Sequence, residues 1–362
     1  MWGLNLFDSI YDGKKVLVTG HTGFKGSWLS LWLSELGAEV TGLSLPPETE
    51  HNHWNLLNLT IDDRCCDIRD AVSVKQIIKN IQPEIVFHLA AQPLVRRSYR
   101  DPLETWSTNV MGTANVLEAC RHTPSVRAIV AITTDKCYEN YGLSRGYRED
   151  DRLGGYDPYS ASKAGSELVA ASYRRAFLDA EAGALLATAR AGNVIGGGDW
   201  SEDRLIPDLI RAISEQKSLE IRSPNATRPW QHVLEPLGGY LVLGKKLLRG
   251  YQNVAGPWNF GPEPESNQAV SEVLRKLNKN WANIRWHETG SPQPHEASSL
   301  HLDSDKAHNN LNWQPVWNID CTIEKTVDWY KQWLQNGHVI SRQQLAGYVA
   351  DASYANIEWA NS

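Results

Sequence analysis

The sequence predicts an α/β protein: a doubly wound parallel sheet followed by a smaller, mixed carboxy-terminal lobe. Three observations carry this reading. Short apolar runs alternate with helix-patterned segments through the first half, a glycine-spaced turn closes the first run, and beyond about Gly196 the alternation gives way to Pro-, Trp- and Gly-rich sequence.

The elements follow in order. KKVLVTG is a short apolar strand ending in glycine, and SWLSLWLSELG continues with helical spacing to a glycine stop. EVTGLSL is the second strand. VSVKQIIKNIQP reads as a helix ended by proline, EIVFHLAA as the third strand, and DPLETWSTNVMGTANVLEACRH as a long helix with an early proline. VRAIVAITT is the fourth strand, PYSASKAGSELVAASYRRAFL a helix and ALLATARAGNVIG a further strand. In the lobe, RLIPDLIRAISEQ and LGGYLVLGKKLL are helices among RSPNATRPWQHV and AGPWNFGPEPES, and IDCTIEKTVDWYKQWLQNG is a closing amphipathic helix. Such alternation builds βαβ units, with ligands gathering at the carboxyl ends of the strands.

Composition narrows the function classes. The chain has 362 residues, 41% apolar and 22% charged, ordinary for a soluble globular protein. A net charge of −6 argues against nucleic-acid binding by broad phosphate attraction. MWGLNLFDSIYDGKK carries an acid where a signal peptide needs a basic region, and no run approaches the roughly 18 apolar residues of a spanning helix, so a cytoplasmic, membrane-free protein is expected. Cys65, Cys66, Cys120, Cys137 and Cys321 form no CxxC and are odd in number, which reads as reduced thiols. No metal site is expected, and HNH at His51–His53 reads as solvated loop. The 15 scattered tryptophans read as packing and pocket walls, and no repeat is present.

Gly20, Gly23 and Gly26 are spaced GxxGxxG between a strand and a helix. Glycines let the backbone approach a pyrophosphate, and the helix start supplies oriented N–H groups, so a dinucleotide site of Rossmann type is expected. The acid that ordinarily binds the adenosine ribose after the second strand is missing, since Ser44 and Leu45 stand there. Lys25 lies in the loop, and Asp67 of CCDIRD, followed by Ile68, could accept from an adenine amino group.

Tyr159 and Lys163 are spaced YxxxK on an expected helix, so both reach one ligand. A lysine ammonium beside the phenol is expected to favour phenolate.

Gly20-x-x-Gly23-x-x-Gly26, HLAAQ, Tyr159-x-x-x-Lys163 and RAGNVIGGGDW resemble an extended short-chain dehydrogenase/reductase (the NAD-dependent epimerase/dehydratase family) over roughly Lys14 to Leu334. The resemblance implies NAD, held by Gly20, Gly23, Phe24, Gly26, Asp67, Ile68, Leu89, Ala90, Gln92, Asn109, Thr133, Tyr159 and Lys163. It also implies a sugar-nucleotide substrate, with Arg228 on its diphosphate and Gln92, Asn193, Arg204 and Leu205 around it. The expected organisation is a dinucleotide-binding domain over 1–190, a substrate lobe over 191–336 interleaved with the sheet, and a helical or flexible tail over 337–362. Relatives pair the long helix and the Tyr159 helix in dimers, so a homodimer is expected.

TTDKCY separates the reactions within the family. A 4-epimerase needs little beyond Thr134 and Tyr159, whereas a 4,6-dehydratase also needs a base at C5 and an acid for the C6 hydroxyl. Two ionisable residues, Asp135 and Lys136, follow the threonine directly, and the pair resembles that of dehydratases acting on CDP-glucose in deoxysugar biosynthesis. GHTGFKGSWL, AAQPLVRRSY and RPWQHVLEPLGGYL are similar to the same group. The resemblance makes Asp135 the acid and Lys136 the base; an amine is protonated in neutral water, so the site must remove its proton. The missing ribose acid predicts weak or unselective NAD retention. Titrating the apoprotein with NAD and with NADP checks this, and tight NAD binding with complete rejection of NADP would contradict it.

Overall fold

A computed structural model describes residues 5–178, 183–281, 284–289 and 300–361. At its centre stand strands β1 (Lys15–Thr19), β2 (Glu39–Ser44), β3 (Asp62–Cys65), β4 (Ile85–His88), β5 (Ala128–Ile132), β6 (Leu185–Ala191) and β7 (Pro257–Phe260). They form one sheet in the order β7-β6-β5-β4-β1-β2-β3. Every pairing is parallel. Because β1 lies between β2 and β4, the chain winds away in opposite directions from it, and a crevice opens at the carboxyl ends of the strands.

The doubly wound parallel sheet is therefore present, with two strands that alternation did not reveal. β3 is DDRC, an edge strand with all four residues exposed, so no apolar pattern announces it. β7 is PWNF, reached only after the chain has passed through the Pro- and Trp-rich lobe. EIVFHLAA is consequently the fourth strand in chain order, and VRAIVAITT the fifth.

Strand pleating divides the core between the two faces. Val16, Val18, Phe87 and Val130 meet Trp28 and Trp32 on one side. Leu17, Val86, Ile129 and Leu186 meet Val74, Ile78, Val116 and Leu117 on the other. Being covered twice, β4, β5 and β6 are buried along their whole length, as their nearly unbroken apolar runs require.

Helix α1 (Phe24–Glu35) is buried almost all round: Trp28, Leu29, Leu31, Trp32 and Leu33 are all shielded. A helix of this kind needs cover on its outer side. The segment after the closing helix Ile319–Asn336 provides it. Tyr348 of the helix Ser341–Tyr354 packs edge-on to Trp32, and Trp359 stacks on Phe7 with centroids 5.0 Å apart. Tryptophans serve as packing and as walls: Trp28, Trp32, Trp313 and Trp329 are fully buried, while Trp200 and Trp230 border the crevice.

The HNH segment is a correction. Asn52 caps the short helix His53–Leu57 by accepting from the Asn55 N–H at 2.8 Å, which turns His53 inward. Its ring pairs with Ser27 Oγ at 2.8 Å and Ser341 Oγ at 2.7 Å, and burial pushes its pKa down to about 3. His53 is thus a neutral core residue; His51 alone stays exposed. Among the described residues no group of three or more His, Cys, Asp or Glu is placed to hold a metal, and no helix is long and apolar enough to cross a membrane.

One buried carboxylate ties this cover to the sheet. Glu235, in the first turn of the helix Leu234–Leu248, accepts from the backbone N–H groups of Val316 and Trp317 at 2.9 and 2.8 Å and from the Tyr348 hydroxyl at 2.8 Å. Burial outweighs these bonds and pushes its pKa up to about 7. A raised folded-state pKa means stability present below the ordinary 4.5 and lost as pH rises through about 7. Urea denaturation should show the wild type losing up to roughly 3 kcal/mol relative to Glu235→Gln across that window. Parallel pH profiles for the two proteins would contradict the assignment.

Candidate active site

The crevice is a cavity of about 1080 Å³ that runs past the ends of β1, β4, β5 and β6. Its floor is the glycine turn. Gly20 has φ +74°, and a Cβ there would fall 2.7 Å from the Ala90 nitrogen; one on Gly26 would fall 2.1 Å from the Gly20 carbonyl oxygen. Both positions must be bare for the turn to close against the next strand. Gly23 then caps α1, and the first N–H groups of the helix, which have no intrahelical partner, face an anion entering the turn. This cradle fits a dinucleotide pyrophosphate.

At the adenosine end, no acid stands directly at the end of β2, and Glu48 further on lines the cavity paired with Arg97 at 2.7 Å. Ser44 there shares a hydrogen bond of 2.8 Å with Thr22. Asp67 and Ile68 line the cavity as expected, but Asp67 is clasped by Arg69, with Nε 2.9 Å from Oδ2, which lowers its pKa. Arg69 also lines this end, a cation that CCDIRD contained and the sequence reading passed over. Asp63 of β3 reaches the loop from outside, 3.0 Å from the His21 ring.

Phe24, Leu89, Ala90, Gln92 and Thr133 line the cavity. Gln92 is already engaged, donating to Thr105 Oγ1 at 2.8 Å and accepting from the Leu94 N–H at 2.6 Å. Asn109 stands behind the wall. It accepts from the Gln92 N–H and donates to Gln92 O and Ser162 Oγ, fastening the loop after β4 to helix Pro158–Ala176.

That helix presents Tyr159 and Lys163 on one face. Proline at its first position and Asp157, which accepts from the Ser160 N–H at 2.9 Å, fix where it starts. The expectation that the lysine favours phenolate is not met. Burial pushes the Tyr159 phenol up to about 12, with its hydrogen bond to Thr134 acting the other way. Lys163 instead donates to the Ile132 carbonyl at 3.2 Å, and burial brings its pKa down to about 8.

Across from this pair stands the opened turn after β5. Thr134 Oγ1 donates to Asp135 Oδ1 at 2.9 Å, and Lys136 Nζ lies 3.4 Å both from that same oxygen and from Asn193 Oδ1. Asp135 is 2% exposed and Lys136 27%. Thr134, Asp135, Lys136, Tyr159 and Asn193 thus border one space, with an acid, an amine, a phenol and a hydroxyl available to a single ligand.

The far end is lined by guanidinium groups. Arg204 precedes the helix Leu205–Ser214 and pairs with Asp199 at 3.1 Å, and Arg228 lies on the short strand Thr227–Pro229. Leu205 lies beside them, as do Arg96 and Arg222, both paired with Asp203. Such forks suit phosphate oxygens. AAQPLVRRSY and RSPNATRPWQHV contain Arg96 and Arg222, but nothing in the sequence pairs the two, because only folding brings them together.

Beneath the site lies a buried ion pair. Glu167 receives both Nε and Nη2 of Arg190 at 2.9 Å, and its oxygens also accept from Thr133 Oγ1 at 2.5 Å and Thr188 Oγ1 at 2.8 Å. Arg190 continues to the Tyr138 hydroxyl at 2.7 Å, which donates to Asn259 Oδ1 at 2.8 Å.

Comparison with known proteins agrees with this geometry. Residues 17–257 match the family model described as GDP-mannose 4,6 dehydratase. The chain is 44% identical over 351 residues to the CDP-glucose 4,6-dehydratase of Salmonella typhimurium, covering 94% of this chain and 98% of that one. It is 27% identical to the UDP-glucuronate 4-epimerase of Thermodesulfobacterium geofontis, covering 87% and 96%. The dTDP-glucose 4,6-dehydratase of Streptomyces venezuelae, solved with NAD bound, superposes with a TM-score of 0.73 at 25% identity over 88% of this chain and 97% of that one.

Removing one member of the buried pair isolates the other in a dry site. Arg190→Met should cost about 3–5 kcal/mol of unfolding free energy by chemical denaturation. The double variant Glu167→Gln/Arg190→Met should lose clearly less, since no charge is then stranded. Equal losses would show that packing, and not the stranded charge, sets the cost.

Proposed function

Since the chain belongs to the GDP-mannose 4,6-dehydratase family of NAD-dependent sugar-nucleotide enzymes, we propose that it converts CDP-glucose to CDP-4-keto-6-deoxy-glucose. The observation that carries this reading is the Asp135–Lys136 pair bordering the same space as Thr134 and Tyr159. An epimerase has no use for that pair. Gly20, Gly23 and Gly26 would hold NAD, which when bound would supply reversible hydride acceptance, so that hydride could leave C4 and return at C6 with no net oxidation.

Tyr159 takes the proton of the 4-hydroxyl, oriented by Thr134. Burial raises the phenol to about 12, so the positive charge of a bound oxidised cofactor would have to favour phenolate. Once C4 is a ketone its neighbour C5 is acidic, and Lys136 removes that proton. Asp135 protonates the C6 hydroxyl, which departs as water. The 3.4 Å contact between the two side chains supplies what this step needs. Transfer of one proton from the ammonium to the carboxylate turns the ion pair into a neutral acid and a neutral base, the combination that burial favours. As the hydride returns to C6, Lys136 gives a proton back to C5, and Asp135 regains a proton through solvent as Tyr159 releases the one taken from the 4-hydroxyl, so the site ends as it began. Arg204 and Arg228 hold the diphosphate, with the nucleotide along Leu205.

The exposed apolar faces of the helical run Pro102–Arg121 and of Pro158–Ala176, where Leu103, Met111 and Leu168 are 79%, 57% and 61% exposed, support a homodimer. A second copy of the chain covers these faces, which sedimentation equilibrium would test: a monomer at micromolar concentration contradicts the dimer.

Incubation with CDP-glucose should yield a product lighter by one water and positive for a 4-keto sugar, with no lasting NADH absorbance. A 4-epimer of unchanged mass would overturn the dehydratase reading. Faster turnover of the UDP-, dTDP- or GDP-sugar in a parallel panel would reassign the substrate. Tyr159→Phe should keep dinucleotide binding while turnover falls by at least about 10²-fold. In D2O, product from the wild type should carry deuterium at C5, and Lys136→Met should lose that exchange together with turnover.

A further inference from the structure

Lys25, the second residue of α1, does not extend toward the mouth of the glycine turn. It lines the cavity, and its amine donates to the Tyr240 hydroxyl at 3.4 Å, 5.9 Å from the centre of that ring. Among the described residues no carboxylate lies within ion-pair distance of it. The charged groups facing it are those of the reaction centre. Arg204 faces it from the cap of helix Leu205–Ser214, Lys163 from the Tyr159 helix, and Asp135 and Lys136 from the turn after β5. Tyr240, fully buried on helix Leu234–Leu248, sits on the other side, within the field of Tyr159.

A side chain needed only to fill this half-buried position would be apolar, because withdrawing an amine from water without a counter-ion is costly. The end of the cavity that Lys25 feels is also the end where hydride changes hands, since Tyr159 and Lys163 stand there. The oxidised nicotinamide ring carries a positive charge and the reduced ring carries none. We propose that Lys25 makes this site distinguish the redox states of its cofactor, opposing the oxidised dinucleotide while leaving the reduced one unaffected. This rests on the NAD-dependent reading above and adds to it a residue acting through charge alone. Its effect on the reaction is to favour hydride departure from C4 and to retain the reduced cofactor until the hydride returns.

Burial, helped by Arg204, brings the Lys25 pKa down to about 7. Its charge, and so the discrimination, should fade between about pH 6 and 8. Lys163 also titrates near the top of this range, with its pKa brought down to about 8, so the effect must be read as a difference between proteins that all keep Lys163.

The test is calorimetric titration of purified protein, freed of dinucleotide, with NAD+ and with NADH at pH 6.5 and 8.5. Wild type, Lys25→Met and Lys25→Arg are compared, with thermal unfolding to confirm that each is folded. At pH 6.5 the ratio Kd(NAD+)/Kd(NADH) should be roughly tenfold larger in the wild type than in Lys25→Met. That gap should close at pH 8.5, and Lys25→Arg should keep the large ratio at both values. A Lys25→Met protein with the wild-type ratio overturns the proposal, including the case where both constants weaken together, as loss of packing alone would give. If Lys25→Met does not fold, Lys25→Gln takes its place, and a wild-type ratio constant between the two pH values is then also enough to overturn it. Wild type binding neither dinucleotide overturns the reading of the site and this proposal with it.

Discussion

The pair Glu167–Arg190 is the constraint on which the site's geometry depends. Glu167 lies two turns beyond Tyr159 on one helix face, Arg190 sits in β6, which is buried along its whole length, and Thr133 precedes Thr134. One carboxylate therefore fixes three things relative to one another: the rotation of the Tyr159 helix, the depth of β6, and the point where β5 opens. Through Tyr138 and Asn259 the same network reaches β7. Taking two charges out of water is a poor way to gain stability, since an apolar pair of equal volume often does as well. Its value is that few other registers satisfy every donor. A shift of the helix by one residue would strand a charge, so the arrangement of Thr134 opposite Tyr159 is held by the cost of its alternatives.

The remaining electrostatics are divided by position. Cations gather at the end where a diphosphate belongs, and Arg96, Arg204 and Arg222 are each held by an aspartate. In the middle the balance differs: Lys25, Lys136 and Lys163 share the site with Asp135, the carboxylate that Lys25 feels. A region with excess positive charge is suited to passing protons and a hydride, because each transfer relieves or redistributes charge already present.

Much of this was legible in the sequence, and the reasons for what was not are specific. The glycine turn and the YxxxK face are local: backbone clearance and helical spacing determine them, and both occur where expected. TTDKCY was legible for the same reason, since three consecutive residues cannot be far apart. β3 was hidden because an exposed edge strand needs no apolar alternation, and β7 because strand order in space is not strand order in sequence. Asn109 illustrates a further limit. Its position in the chain pointed to the cofactor, while its hydrogen bonds show it bracing the wall that the cofactor would touch. The Tyr159 phenol was misjudged because spacing reveals a neighbouring lysine and says nothing of burial, which here is the larger influence. His53 was misjudged likewise.

The cover over α1 has a consequence for the order of events during synthesis. The helix that begins in the glycine turn is synthesised well before its outer cover, so Trp28 and Trp32 at first lack it. The covering residues come some three hundred positions later: Ser341 meets His53, Arg342 meets Glu35 at 2.9 Å, and Trp359 meets Phe7. Contacts spanning some three hundred residues close slowly, because the chain between them must first be ordered. The nascent protein must therefore carry an unfinished, tryptophan-rich surface until the segment 341–360 has been made. A chain halted before that segment would leave the cofactor cradle built on a helix lacking its outer wall.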